Sequence, residues 1–266
     1  MSARGDVRAA EAAQVALLTG TGAAGVLGAA LAHEGARLEQ CTVHSVHHRP
    51  GAGVSVGYTA VVLEADGRRL TEYLCATTAR LSRTNVPGLI PVLASDGVGP
   101  TIHVWRHPAD PELPALVVAC TPSLLSARIG AKVKATMVAY RPTRRAVVRV
   151  TWPDGSTAFA KVLRPPQAAA LAQRHRMLSL SGVPAPQVLR EDVDGLVMLS
   201  TGQGTSLSGL LAQGMEPTQA TRVFNALAAT LDALPADALP LPRHPAWSER
   251  ARHYAHAAAT VLPEHA

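Results

Sequence analysis

Polar and apolar positions change period several times along the chain. From Val15 to Gly35 apolar residues and Ala run almost unbroken, punctuated by Gly20, Gly22 and Gly25. That stretch reads either as two short Ala-rich helices joined by a glycine turn, or as a strand, a G-x-G-x-x-G turn and a helix. Arg37 to His44 alternates like a half-exposed strand. Further on, Val147 to Trp152 and Thr157 to Leu163 are strand-like, and Pro153-Asp154-Gly155-Ser156 between them is a tight-turn sequence, which predicts a β-hairpin. Period two places Lys161 with Phe159 and Leu163 on one face, against Ala158, Ala160 and Val162 on the other. Pro165-Pro166 stops this strand and opens a helix in which Leu171, His175 and Leu178 recur at helical spacing up to Gly182. Val183 to Leu189 is held extended by its prolines, a turn follows at Asp192 to Gly195, and Leu196 to Ser200 reads as a buried strand leading into Thr201 to Gly204. Pro217 opens a helix with an apolar stripe of Ala220, Val223, Leu227, Leu231 and Leu234, expected to be core. After a proline-rich loop another helix is expected from about Ala246 to Leu262.

The hairpin pattern occurs twice. His48-Arg49-Pro50, a strand, Asp66-Gly67 and a return strand match Tyr140-Arg141-Pro142, a strand, Asp154-Gly155 and a return strand. The position of Lys161 falls near Glu72 or Tyr73 in the first copy, so only the second carries a lysine there. The chain has 25 Lys and Arg in all, and Lys only at 132, 134 and 161. Arg is therefore its default surface cation and Lys161 stands out. A lysine in an apolar strand is costly unless something anionic meets it; the alternative is an edge-strand lysine with its head in water.

Composition narrows the classes. With 266 residues at 47% hydrophobic, the chain can bury one or two cores. Three Cys without a C-x-x-C spacing favour reduced thiols, and no signal-peptide pattern or long apolar run is found. These predict a cytoplasmic protein with no membrane span. The formal charge is +6, but aromatic content is 3% and no basic run is interleaved with stacking residues. Nucleic acid is not the expected partner; phosphorylated small molecules suit the arginines better.

Other chemistries find less support. His44 and His47 have the H-x-x-H spacing, with His48 adjacent, but in a strand His44 and His47 point to opposite faces and no acid or Cys cluster completes a metal site. No G-x-S-x-G elbow is present. The G-x-G-x-x-G at Gly20 to Gly25 raises an NAD(P)-binding Rossmann enzyme, which also requires repeated βαβ units that do not follow.

The order of hairpin with Lys161, helix, two strands and glycine-containing connector resembles the N-lobe of kinases, specifically the aminoglycoside phosphotransferase-like branch of the protein-kinase-like fold. The resemblance spans about residues 130 to 240, and the preceding region, with Val104 to Pro114 as connector, looks like the cap of maltokinase-like relatives. It implies an α+β protein: a cap with short helices and a β-hairpin over 1–125, an N-lobe of an antiparallel sheet plus one helix over 126–204, and a truncated helical C-lobe over 205–266. It implies that Lys161 binds nucleotide phosphates, that Met198, Leu199 and Thr201 lie where the hinge holds adenine, and that the Arg144-Arg145 turn replaces the phosphate-covering loop. ATP with magnesium is the implied cofactor, and a small hydroxylated metabolite such as a sugar or aminoglycoside the implied acceptor. Two departures matter. No Asp or Glu lies between Asp154 and Glu191, so the helix Glu that orients the lysine is missing, with Gln167 or Gln173 as neutral substitutes. No His opens an H-G-D or H-x-D, so the catalytic Asp and magnesium ligands are absent from these residues. The expectation is a chain without kinase activity alone, completed by a separate C-lobe or partner chain, or else a non-catalytic nucleotide- or partner-binding module.

Overall fold

Among the described residues, ten strands form two five-stranded antiparallel sheets wound in the same order. The computed structural model describes residues 3–48, 51–93, 100–202, 204–236, 246, 248–252 and 254–255. Two helices lead: α1 (Ala3–Thr19) and α2 (Gly22–Ala32). The first sheet comprises β1 (Arg37–His48), β2 (Val54–Leu63), β3 (Arg69–Thr77), β4 (Leu89–Val92) and β5 (Ile102–Arg106), in the order β1-β2-β3-β5-β4. Next come α3 (Leu116–Cys120) and α4 (Pro122–Ile129). The second sheet comprises β6 (Lys134–Arg141), β7 (Arg145–Thr151), β8 (Thr157–Leu163), β9 (Val188–Glu191) and β10 (Leu196–Ser200), ordered β6-β7-β8-β10-β9, with α5 (Pro165–Leu180) between β8 and β9. Each sheet is a three-strand meander whose last strand inserts between the third and the fourth. The repeated Asp-Gly pairs, Asp66-Gly67 and Asp154-Gly155, therefore mark corresponding corners of two similarly wound sheets, while Arg49-Pro50 lies outside the described residues.

Alternation decides which faces are buried. In β2, Val54, Val56, Tyr58, Ala60 and Val62 turn inward against Leu18 of α1 and Leu27, Ala30 and Leu31 of α2. The Tyr58 hydroxyl donates to the Leu18 carbonyl at 2.6 Å, which satisfies the one polar atom that ring brings into the core. In the second sheet, Ala146, Val148, Val150, Ala158, Ala160 and Val162 pack on Leu116, Ala119 and Leu125 of α3 and α4. The opposite face receives α5, whose Ala168 and Ala172 lie on Val197 and Leu199.

The apolar run Val15 to Thr19 is the end of α1, so the glycines join helix to helix, not strand to helix. A steric reason holds for Gly20 and Gly22, whereas a Cβ at Gly25 would meet nothing within 4 Å. A Cβ at Gly22 would meet Leu17 Cδ1 at 2.5 Å, and one at Gly20 the Ala16 carbonyl oxygen at 2.7 Å. The strand-turn-helix context of a dinucleotide fingerprint is missing, and both sheets are antiparallel. The first region also contains a complete sheet where one hairpin was expected.

No single described helix is long and apolar enough to cross a membrane; the segments Ala9–Thr19 and Gly22–Ala32 are bent by 70°. The C-terminal helices α6 (Leu207–Gln213) and α7 (Pro217–Asp232) have no buried residue. The stripe expected to be core on α7 is exposed at Leu227, Leu231 and Leu234, and Phe224 beside it is 69% accessible. Periodicity formed the helix, but no element covers its apolar side among the described residues. Of the helix expected over 246–262, the described residues show a 3-10 turn at Ser248–Arg250 and helical conformation at 251–252 and 254–255, and most of the rest lies outside the described residues.

Candidate functional site

Strand β8 places Lys161 between two neighbours: Val147 of β7 pairs with it on one side and Val197 of β10 on the other. Its partly buried positions Phe159, Lys161 and Leu163 alternate with buried Ala158, Ala160 and Val162, as the period-two reading requires. Lys161 thus stands on the α5 side of the sheet, half-buried, with no hydrogen bond or ion pair to any described residue. Arg145 pairs with Leu163, and Arg149 with Phe159, so both are diagonal neighbours of Lys161 on the same face. Diagonal positions are about 7–8 Å apart, within reach of long side chains. Three cations therefore frame an apolar strip of Val147, Phe159 and Leu199.

The nearest acid in register is Glu191, which pairs with Val197 two strands from Lys161, about 10 Å away. It is already held by Arg176 of α5 at 2.6 Å. Helix α5 carries no acid, and its sheet-facing positions are Ala168 and Ala172. Gln167 and Gln173, the neutral substitutes expected to orient Lys161, are both exposed.

The remaining candidate residues divide between faces. Leu199 lies on the Lys161 side, whereas Met198 faces the α3/α4 core, because successive strand residues alternate. Thr201 closes the end of β10: its Oγ1 donates to the Thr157 carbonyl at 2.7 Å. Arg145 is exposed on the Lys161 side, but Arg144 turns into a cleft toward the first sheet.

Sequence reasoning missed the joint between the sheets. The segment after β5 carries Asp110 and Glu112, 4% and 3% accessible. Asp110 Oδ2 accepts the Tyr140 hydroxyl and the Thr143 amide, each at 2.7 Å, and its Oδ1 accepts the Glu112 amide at 2.9 Å. Glu112 accepts the Ser82 amide and pairs with Arg164 Nε at 2.8 Å. Thr143 needs this support: it has φ +61°, a left-handed conformation that a β-branched residue rarely adopts. With Pro142 before it and the Arg144 amide bonded to the Arg141 carbonyl at 3.0 Å, the β6–β7 corner has the form of a type II turn lacking its usual glycine. Burial pushes the Asp110 carboxyl above the ordinary range. The available signal was Asp110-Pro111-Glu112, two acids in an otherwise apolar, proline-bounded connector.

Aromatic rings fill the same joint. Tyr140 lies edge-on to Tyr73 and His107, with centroids 5.9 and 4.9 Å away, and the Trp105 Nε1 donates to its hydroxyl at 3.3 Å. His44 packs on Tyr73 at 5.3 Å, whereas His47 lines the cleft. The two histidines of the H-x-x-H spacing thus part company. No group of three or more His, Cys, Asp or Glu among the described residues forms a metal-ligand set. Cys120 lies 4.0 Å from His107 Nε2, but burial pushes its thiol up to about 11, away from a reactive thiolate.

Burial also lowers the proton affinity of His47, His103 and His107, with Arg141 adding to the effect at His47. The unfolded chain takes up protons at these sites near pH 6.5 while the native chain resists, so stability falls with pH below that value. Thermal unfolding is expected to give a lower midpoint at pH 5.5 than at pH 7.5, with a smaller difference in His107→Gln. An unchanged difference in the variant would remove His107 from this account.

Comparisons with protein-family models, curated proteins and solved structures returned no match.

Proposed function

We propose that the second sheet is a nucleotide-binding lobe of the aminoglycoside phosphotransferase-like kind, with Lys161 on the phosphates. The observation that carries this reading is the Lys161 face: an unpaired lysine at mid-strand, with Arg145 and Arg149 diagonal to it and no acid on the adjoining strands. Such a donor set suits the oxygens of a polyphosphate, and the apolar strip ending at Leu199 suits a base. The winding of the sheet, with one helix between its third and fourth strands in chain order, supports the same reading. Magnesium fits less well. Glu191 is committed to Arg176, and no H-x-D occurs in the sequence, so no phosphoryl-transfer step follows from these residues. The lobe binds nucleotide, and this chain alone does not transfer its phosphate.

The test is thermal unfolding with and without Mg-ATP, with NAD in parallel. At a ligand concentration 100 times the dissociation constant, linkage predicts about 2.7 kcal/mol of stabilisation, a rise of several degrees. The rise should vanish in Lys161→Ala. A null response to ATP, or an equal one in the variant, defeats the proposal; a response to NAD alone would favour a dinucleotide site.

A further inference from the structure

The β6–β7 corner at Arg141-Pro142 borders a cleft of about 500 Å³ whose other walls come from α1, the end of β1, residues 51–53 and the segment after β3. That volume is suited to a small metabolite. Its basic lining consists of His47, His48, Arg80, Arg141, Arg144 and Arg164, and Glu11 is the one acid among the described lining residues.

Several of these groups already have work. Glu11 Oε1 accepts the Gly51 amide at 2.6 Å, and its Oε2 lies 3.5 Å from His48 Nε2. Arg164 Nε is shared between Glu112 at 2.8 Å and the Thr143 carbonyl at 3.1 Å. Two groups do not. Arg141 Nε and His47 Nε2 are shut off from water and have no hydrogen-bond partner among the described residues. Buried polar atoms are nearly always partnered, and an orphan calls for a specific explanation. Two orphans in one cationic cleft are explained together by one missing acceptor: an anion between them. Burial first and the Arg141 charge second lower the proton affinity of His47, which places the guanidinium close to the imidazole.

The cleft is distinct from the Lys161 face. Lys161, Phe159 and Leu199 are not among its lining residues, and the proposal stands whether or not nucleotide binds there. We propose that the cleft binds the phosphoryl group of a small hydroxylated metabolite, with Arg141 and His47 on the phosphate oxygens and Arg80 at the mouth. Gln14 and Thr78, joined by a 2.6 Å hydrogen bond, line the same space and supply the hydroxyl-binding end. Planar guanidinium donors match phosphate geometry.

Calorimetric titration of the full chain at constant ionic strength tests this, using inorganic phosphate, a hexose phosphate and the parent hexose. Saturable binding is expected for both phosphates, tighter for the hexose phosphate, and none for the hexose. Loss of one charge-assisted contact corresponds to roughly tenfold weaker binding, the change expected in Arg141→Gln and in Arg80→Gln. Arg80 is exposed, so the second variant keeps the test valid if the first fails to fold. Lys161→Ala should retain the binding. The proposal is overturned if no saturable binding occurs, if neither arginine variant weakens it, or if Lys161→Ala alone abolishes it. Equal affinity for phosphate and hexose phosphate overturns the metabolite assignment.

Discussion

Asp110→Ala is expected to cost about 3–5 kcal/mol of stability, a fall of about 10 °C in the unfolding midpoint for a chain of this size. The substitution removes an acceptor from the Tyr140 hydroxyl and from the amides of Thr143 and Glu112 at once. Each donor left unmet in a dry site costs about 1–3 kcal/mol, and part of the sum is returned because a buried carboxylate no longer has to be desolvated. The damage should spread. Tyr140 loses the bond that fixes its hydroxyl beneath Trp105, and Thr143 loses the anchor that holds it at φ +61°. Asp110→Asn keeps the shape but offers a donor where one amide also donates, so it should fall between wild type and Asp110→Ala. Urea unfolding followed by Trp fluorescence would measure all three. A loss below about 1 kcal/mol in Asp110→Ala would mean that the joint is held by its apolar contacts alone.

The Asp110 joint shows where reading the sequence stops working. The β7–β8 hairpin was legible because its turn chemistry and period-two alternation agree, and the structure pairs Val147 with Lys161 and buries the opposite set. Helix α5 was legible for a similar reason: Pro165-Pro166 starts it, and Gly182, at φ +74°, follows its end. Local signals sufficed in both. In Val15 to Thr19 every position is apolar or small, so no period separates strand from helix, and only packing on β2 decides. Strand β5 inserts between β3 and the edge strand β4, pairing with both, an arrangement that no local pattern encodes. The candidate site divides along the same line. Lys161 and its face follow from alternation. Adjacent Arg144 and Arg145 were grouped as one phosphate-covering turn, but successive residues entering β7 point to different sides, and only Arg144 lines the cleft. The cleft is not legible in any local pattern, because its lining comes from α1, the end of β1, the segment after β3 and the β6–β7 turn, which only the fold brings together.

Gly195→Ala is expected to cost at least about 3 kcal/mol, combining backbone strain with overpacking. Gly195 has φ +100°, and a Cβ there would run into the carbonyl oxygen of Leu163. That oxygen is main chain at the end of β8 and cannot swing away like a side-chain tip. Gly195 also ties β8 to β10, since its carbonyl accepts the Leu163 amide at 3.0 Å. The neighbouring turn has little slack, because Arg128 of α4 clamps Asp192 at 3.2 Å and Asp194 at 2.9 Å. Relief of the clash must therefore come from sliding β10 against β8, the strand that sets Lys161 opposite Val197. Gly155→Ala provides the control. Gly155 has φ +84° in the β7–β8 turn, but a Cβ there would meet nothing within 4 Å, so it costs only the left-handed strain of about 1–2 kcal/mol. Equilibrium unfolding of both variants separates the two contributions. If they cost the same, the approach of Gly195 to Leu163 is not what fixes this end of the sheet, and the register of Lys161 depends on the hairpin alone.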